Sequence, residues 1–189
     1  GIEPDPRLAT ALFYGIKSDT LGLVRGASPA DVEVYFRLQS HIDFAALVEI
    51  ESAQVPIEYF RRLDAALHRA KVYHDAVISY IGSMQRPDLA AEMADLLLRL
   101  QGMHWAICMG LYDEHLIVAV RSRARQGGAG KLVQAVVADQ GLAGGHGTMA
   151  AGHVALQGAD PEQLAHELAR RALEYLKIKA TGQVTALLD

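Results

Sequence analysis

Two apolar arms separated by three polar residues set the strongest limit on what this chain can fold into. Residues 105–112 read WAICMGLY, Asp113 and Glu114 make a turn, and LIVAV follows at 116–120. Two turn residues between β-prone runs specify an antiparallel hairpin. Neither arm alternates apolar with polar residues, so both faces of both strands need cover. That puts the pair in the middle of a sheet packed on two sides. The covering helices show in the periodicity. Leu89, Met93, Leu96, Leu97 and Leu100 share one side of a helix that starts at Pro87 and stops at Gly102. Ala129, Leu132, Val133, Val136 and Val137 follow the i, i+3, i+4, i+7, i+8 pattern through residues 129–139. Asp160-Pro161 caps a last helix carrying Leu164, Leu168 and Leu176. Val77, Ile78 and Tyr80 make residues 76–81 a strand, and HVALQ at 153–157 is another. From residue 73 the predicted order is β-α-β-β-α-β-α, an α/β domain with helices on a mixed sheet.

The upstream part reads as helical. Leu8, Ala11 and Leu12 define a helix over 7–14 that Gly15 ends, and GIKSDTLGL at 15–23 reads as a glycine-bounded loop. Ser28-Pro29-Ala30-Asp31 is a capping-box start for a helix through Val34, Tyr35 and Leu38. A second helix is predicted near 43–51. Pro56 opens a connector helix with Phe60, Leu63, Leu67 and Ala70 as its apolar stripe and Arg61, Arg62, Arg69 and Lys71 facing water. The predicted division is therefore 1–55, a connector over 56–72, and 73–189.

Composition narrows the partners. Lys+Arg number 18 against 22 Asp+Glu, a net charge of −4 spread along the chain, so no basic tail advertises nucleic-acid binding. A single cysteine, Cys108, excludes an internal disulfide framework and points to a reducing compartment. No apolar run approaches the ~18 residues of a membrane span, and no basic-then-apolar leader is visible, so a cytoplasmic location without membrane association is expected. The start at Gly1 rather than Met suggests a processed or excised piece.

Three segments can carry chemistry. Nine of the 17 glycines fall between Gly127 and Gly158, and residues 144–152 read GGHGTMAAG. Glycine allows backbone N–H groups to approach a ligand closely, so this loop reads either as a phosphate cradle or as a tight turn that needs small residues for packing. In the first reading the Gly145 N–H lies against phosphate. AVRSRAR at 119–125 places Arg121, Ser122, Arg123 and Arg125 at a strand end, where guanidinium groups either hold phosphate bidentately or form a solvated loop. Arg121 continues the alternation of Ile117 and Ala119, which makes it the least free of these charges. Asp19, between Ser18 and Thr20, is either an oxygen ligand for Mg²⁺ or Mn²⁺ or a turn and cap residue. The histidines His41, His68, His74, His115, His153 and His166 lack paired ligand spacing, and His104 beside Trp105 reads as a strand entrance. Cys108 lies in an apolar strand and reads as core.

Together GIKSDT at 15–20, VRSR at 120–123 and GGHGTMAAG at 144–152 resemble, in order and separation, the DHH phosphoesterase superfamily. That superfamily includes RecJ-like nucleases and bacterial oligoribonucleases that also act on bisphosphorylated adenosine. The resemblance implies that the chain holds the end of a DHH catalytic domain and a whole DHH-associated substrate-binding domain. It implies that Asp19 is one ligand of a two-ion manganese (or magnesium) site. It also implies that Arg121, Ser122 and Arg123, with Gly144, Gly145 and His146 and the following Ala150, Ala151 and Gly152, bind substrate phosphate and nucleotide. This chain places Gly147-Thr148-Met149 between His146 and Ala150, one residue more than the commonest spacing. No Asp-His-His occurs, so the resemblance implies that these residues alone do not retain a metal pair and do not turn substrate over. The expected activity of the intact protein is hydrolysis of phosphodiester or phosphomonoester bonds in short oligonucleotides or nucleotides, in a cleft between the two domains. Two alternatives stay open: a nucleotide or nucleic-acid binding module without catalysis, and an exopolyphosphatase-like phosphoanhydride hydrolase. The chain has 12 aromatic residues and none in the glycine loop, so no long stacking platform is evident and short substrates are favoured. A homodimer is compatible with all three readings.

Overall fold

The central hairpin forms where the sequence requires it, in a computed structural model that describes residues 4–124, 127–179 and 184–188. Gly1 and Arg125, both singled out above, lie outside the described residues. The chain divides into two units, Gly1–Val55 and Pro56–Asp189.

The first unit holds α1 (Pro6–Thr20), α2 (Pro29–Gln39) and α3 (Phe44–Glu51). Its small core is Ala9, Phe13, Leu38 and Ile42, with Phe13 and Tyr35 stacked at 4.4 Å. Thr10 Oγ1 donates to the Pro6 carbonyl and accepts the Asp43 N–H at 2.8 Å, tying α1 to the cap of α3. Ser28 and Asp31 make the expected capping box.

The second unit holds α4 (Ile57–His68), β1 (Lys71–Tyr73), β2 (Ala76–Ser83), α5 (Asp88–Leu97), β3 (Trp105–Tyr112), β4 (His115–Ser122), α6 (Ala129–Val137), β5 (Gly141–His146), β6 (Met149–Ala155), α7 (Pro161–Tyr175) and β7 (Val184–Ala186). The sheet order is β5-β6-β4-β3-β2-β1-β7. Only β2 and β3 run parallel, and α5 is their crossover; the other neighbours are antiparallel. β3 and β4 pair over their full length, from Trp105↔Ser122 to Tyr112↔His115, around the Asp113-Glu114 turn, with Asp113 at φ 49°. They lie at the centre, covered on both faces. On one face Cys108, Ala119 and Ile81 pack against Leu89 and Met93 of α5 and Ala66 of α4. On the other, Ile107, Val118 and Val120 pack against Leu132 and Val136 of α6 and Leu168 of α7. Each buried Ile, Leu, Val or Met among them contributes about 1.5–3 kcal/mol of transfer free energy.

The α/β class holds, but four local expectations fail for identifiable reasons. α1 does not stop at Gly15. Asp5 caps its start, and the buried side formed by Phe13, Ile16 and Thr20 continues across the glycine, which offsets the roughly 1 kcal/mol that a helical Gly costs. The helix ends instead at Leu21 in the left-handed region, φ 51°, whose N–H returns to the Lys17 carbonyl. The segment GIKSDT is therefore helical rather than a loop. The connector helix stops at His68, and Lys71–Tyr73 forms β1 against β2, because Val72 and Tyr73 complete the sheet there. On α4, Phe60 is 57% exposed, while Ala66 is fully buried and Arg62 is half-buried with Nη1 donating to the Ile81 carbonyl. Finally, GGHGTMAAG is a β-hairpin. Its arms β5 and β6 turn at Gly147-Thr148, so the strand predicted at 153–157 begins at Met149 and gains an edge partner.

Candidate functional site

The alternation of β4 places Ile117, Ala119 and Arg121 on the α4/α5 face of the sheet. Arg121 is held there with a side chain only 12% exposed. Its Nε donates to Asp95 Oδ1 of α5 at 2.9 Å, and its Nη1 donates to the Val120 carbonyl at 3.2 Å. Nη2 has no hydrogen-bond partner among the described residues. Arg121 is therefore not a free surface charge: its planar fork is anchored through Nε and Nη1, which leaves Nη2 to donate outward. Arg123 returns to the same face, is exposed, and its Nε donates to the Leu98 carbonyl just beyond α5 at 3.1 Å. Ser122 turns the other way. It is 4% exposed, and its Oγ accepts the Ala124 N–H at 2.9 Å, closing the turn that leaves β4.

The glycine hairpin lies beside this strand, at the sheet edge. β6 pairs with β4 through Arg121↔Met149, Ala119↔Ala151 and Ile117↔His153, and β5 pairs with β6 through His146↔Met149, Gly144↔Ala151 and Leu142↔His153. Its two faces have different surroundings. Ala143, Ala150, Gly152 and Val154 turn into the core under α6. A Cβ on Gly152 would stand 2.8 Å from Val137 Cγ2. One on Gly130 of α6 would stand 2.8 Å from the Gly145 carbonyl oxygen, and one on Gly127 2.5 Å from that of Gly147. Gly145 has φ 145°, and its Cβ would run into the Ala150 backbone. Packing thus accounts for most of this glycine cluster.

Among the described residues of the second unit the opposite face of the hairpin has no such cover, because α5 packs chiefly on β3 and β4. Leu142 is 70% exposed, and Gly144, His146, Ala151 and His153 are exposed with it. A Cβ on Gly144 would meet nothing within 4 Å, so packing gives no reason for glycine at this position. The result is a shallow floor of Ala151 and Gly144. Arg121, Met149 and His146 line one end, and Leu142, His153 and His115 the other, where the two imidazoles meet edge to face at 5.5 Å. Six residues of β4 separate Arg121 from His115, about 20 Å.

Asp19 lies in the last turn of α1, exposed; its carbonyl accepts from Arg25 Nη2 at 3.2 Å, and its carboxylate has no partner among the described residues. Among the described residues no three His, Cys, Asp or Glu groups gather closely enough to hold an ion. The donors present thus do not compose a metal centre, and Asp19 supplies one carboxylate at most. Cys108 is fully buried and its thiol is pushed up to about 12 by desolvation, which fits core rather than nucleophile. No described helix is long and apolar enough to cross a membrane.

Of the predicted site residues, the fold brings Arg121, Arg123, Gly144 and His146 to one sheet face and turns Ser122 away. It adds Asp95, Leu142 and His153, which sequence reading passed over. For Asp95 a signal existed: a strand arginine facing a covering helix requires a carboxylate from that helix.

No family model matches the chain. An uncharacterized protein of Methanocaldococcus jannaschii is 32% identical over 156 residues, 82% of this chain and 32% of that protein. An exopolyphosphatase-related protein from Bacteroides fragilis superposes with a TM-score of 0.67 at 17% identity, covering 92% of this chain and 51% of that one. The chain shares its fold with that exopolyphosphatase-related protein. It spans about a third of the first relative and about half of the second.

Proposed function

We propose that the second unit binds the phosphate of a short oligonucleotide or nucleotide for a phosphoesterase of the DHH type. The observation that supports this reading is Arg121, half-anchored by Asp95, at the border of an uncovered floor of small residues. Nη2 of the guanidinium presents a fixed donor to phosphate, and such a charge-assisted contact contributes about 1.5–3 kcal/mol. Asp95 neutralises part of that charge, so Arg123 and His146 supply the remaining attraction. His146 stands two strands from Arg121, about 10 Å between backbones, a gap that a phosphate group and two side chains fill. Ala151 and Gly144 leave room for a sugar or base to lie flat against the sheet. Asp19 is proposed as one oxygen ligand of Mn²⁺ or Mg²⁺. Such an ion supplies an acidified water and charge stabilisation at phosphorus. The described residues do not complete that site, so no hydrolytic step is assigned to them, and the 189-residue chain is expected to bind substrate without turnover.

A second reading is favoured by the name of the Bacteroides relative: an exopolyphosphatase-type protein would present the same cationic border to a polyphosphate. Calorimetric titration of the chain with the dinucleotide pApA and with tripolyphosphate separates the two. The nucleotide reading expects tighter binding of pApA and at least a tenfold loss on Arg121→Ala in a protein that still melts cooperatively. Tighter binding of tripolyphosphate transfers the site to the second reading, and indifference of both ligands to Arg121→Ala removes the site.

A further inference from the structure

The face of the sheet opposite Arg121 has a cavity of its own. It measures about 300 Å³ and lies between β1, β2 and the first half of α7. Its origin is local. Ala165 and Ala169, one turn apart on α7, face the strands where a larger side chain would fill the space. Opposite them, the alternation of β1 and β2 brings Lys71, Tyr73, Ile78 and Tyr80 to the same face. Tyr73 and Tyr80 are half-buried there, and neither phenol hydrogen-bonds to the protein among the described residues. Desolvation raises both above the usual phenol range, so both remain neutral donors.

The cations of this region have no carboxylate of their own. Arg69 stands over the Tyr80 ring, 5.8 Å from its centroid. A Cβ on Gly82, in the kink of β2, would lie 3.2 Å from Arg62 Nη1 and 3.7 Å from Arg69 Nη1, so two guanidinium groups converge there. Neither these arginines nor Lys71 forms an ion pair among the described residues. His68, which does pair with Asp64, and His166 complete the basic rim, and Glu162 is the one acid lining the cavity among the described residues. Like charges gathered beside two unpartnered phenols in a cavity of this size match a ligand with a planar ring and a phosphate.

We propose that this cavity is a second ligand site, which takes a nucleoside monophosphate with its ring against Tyr73 and Tyr80 and its phosphate on Arg69 and Lys71. It does not rest on the function proposed above, because it lies on the other face of the sheet and shares no residue with the Arg121 floor.

The test is calorimetric titration of the Arg121→Ala chain with 5′-AMP, adenosine and inorganic phosphate. AMP is expected to bind saturably in this background. Arg69→Glu, a surface substitution, and Ala169→Leu, which fills the cavity from the helix, should each weaken it at least tenfold. Adenosine and phosphate alone should each bind at least tenfold more weakly than AMP. Absence of saturable AMP binding in the Arg121→Ala chain overturns the proposal. So does AMP affinity unchanged by Arg69→Glu and Ala169→Leu, and so does phosphate alone binding as tightly as AMP, which would mark a simple anion site.

Discussion

The two faces of the β5–β6 hairpin are made of the same kinds of small residue for different reasons. Toward α6, Gly152 is small because Val133 and Val137 occupy the space a side chain would need, and Gly145 because the Ala150 backbone does. Away from α6, Gly144 and Ala151 are small with open space before them. A glycine-rich segment read as a string merges these two causes. Separated by face, the covered side is scaffold and the open side is where close approach by a ligand is possible.

The largest expected effect falls on the covered side. Gly152→Val drives a branched side chain into α6 and should cost about 3 kcal/mol, read as a lower denaturation midpoint at unchanged m-value. Gly145→Ala combines a left-handed φ with backbone overlap and should cost about 2 kcal/mol. At Gly145 the overlap with Ala150 gives the glycine a packing reason of its own. A wild-type denaturation midpoint in either variant would break the distinction between the faces.

The open side should respond in affinity instead. Asp95→Asn keeps the shape of the Arg121 partner but removes a negative charge next to the incoming phosphate, so pApA affinity should rise about threefold to tenfold and the gain should shrink with added salt. Unchanged affinity would mean that phosphate does not approach Arg121. Two smaller effects sharpen the scaffold side. Cys108, with its thiol pushed up to about 12, should not react with a disulfide reagent at pH 8 until the protein unfolds. On α7, Arg170 and Arg171 hold the Glu167 carboxyl down to about 2 from its ordinary 4.5. A depressed carboxylate stabilises the fold above pH 4.5, and that contribution fades as pH falls from 4.5 toward 2. The group is solvent-exposed, so the contribution is well under 1 kcal/mol. Glu167→Gln should lower the melting temperature slightly at pH 7 and not at pH 2, and an equal difference at both would refute the pairing.

The hairpin 105–122, the helices α5, α6 and α7, and the inward turn of Arg121 were legible because each rests on local periodicity or strand alternation. The edge strands were not. β1 and β7 are three residues each, too short to show a period, and β5 is so rich in glycine that composition reads as a loop. The helical state of Asp19 was hidden by Gly15, whose local preference is overruled by the buried Phe13 and the half-buried Ile16 on either side of it. The site divided along the same line. Arg121 could be found from β4 alone, whereas Asp95 and His153 join it only through the pairing of β4 with β6 and the packing of α5, contacts distant in sequence. Ser122 was assigned by its neighbour, and strand alternation turns it to the opposite face.

The most direct test of the account is Gly144→Val. Valine suits an edge strand and, with nothing within 4 Å of the added Cβ, stability should stay within about 0.5 kcal/mol of the parent. If the open face is the ligand site, the same substitution should weaken pApA binding at least tenfold, measured by melting and calorimetric titration on one preparation. A Gly144→Val chain that melts and binds like the parent would show that the ligand does not lie on this face.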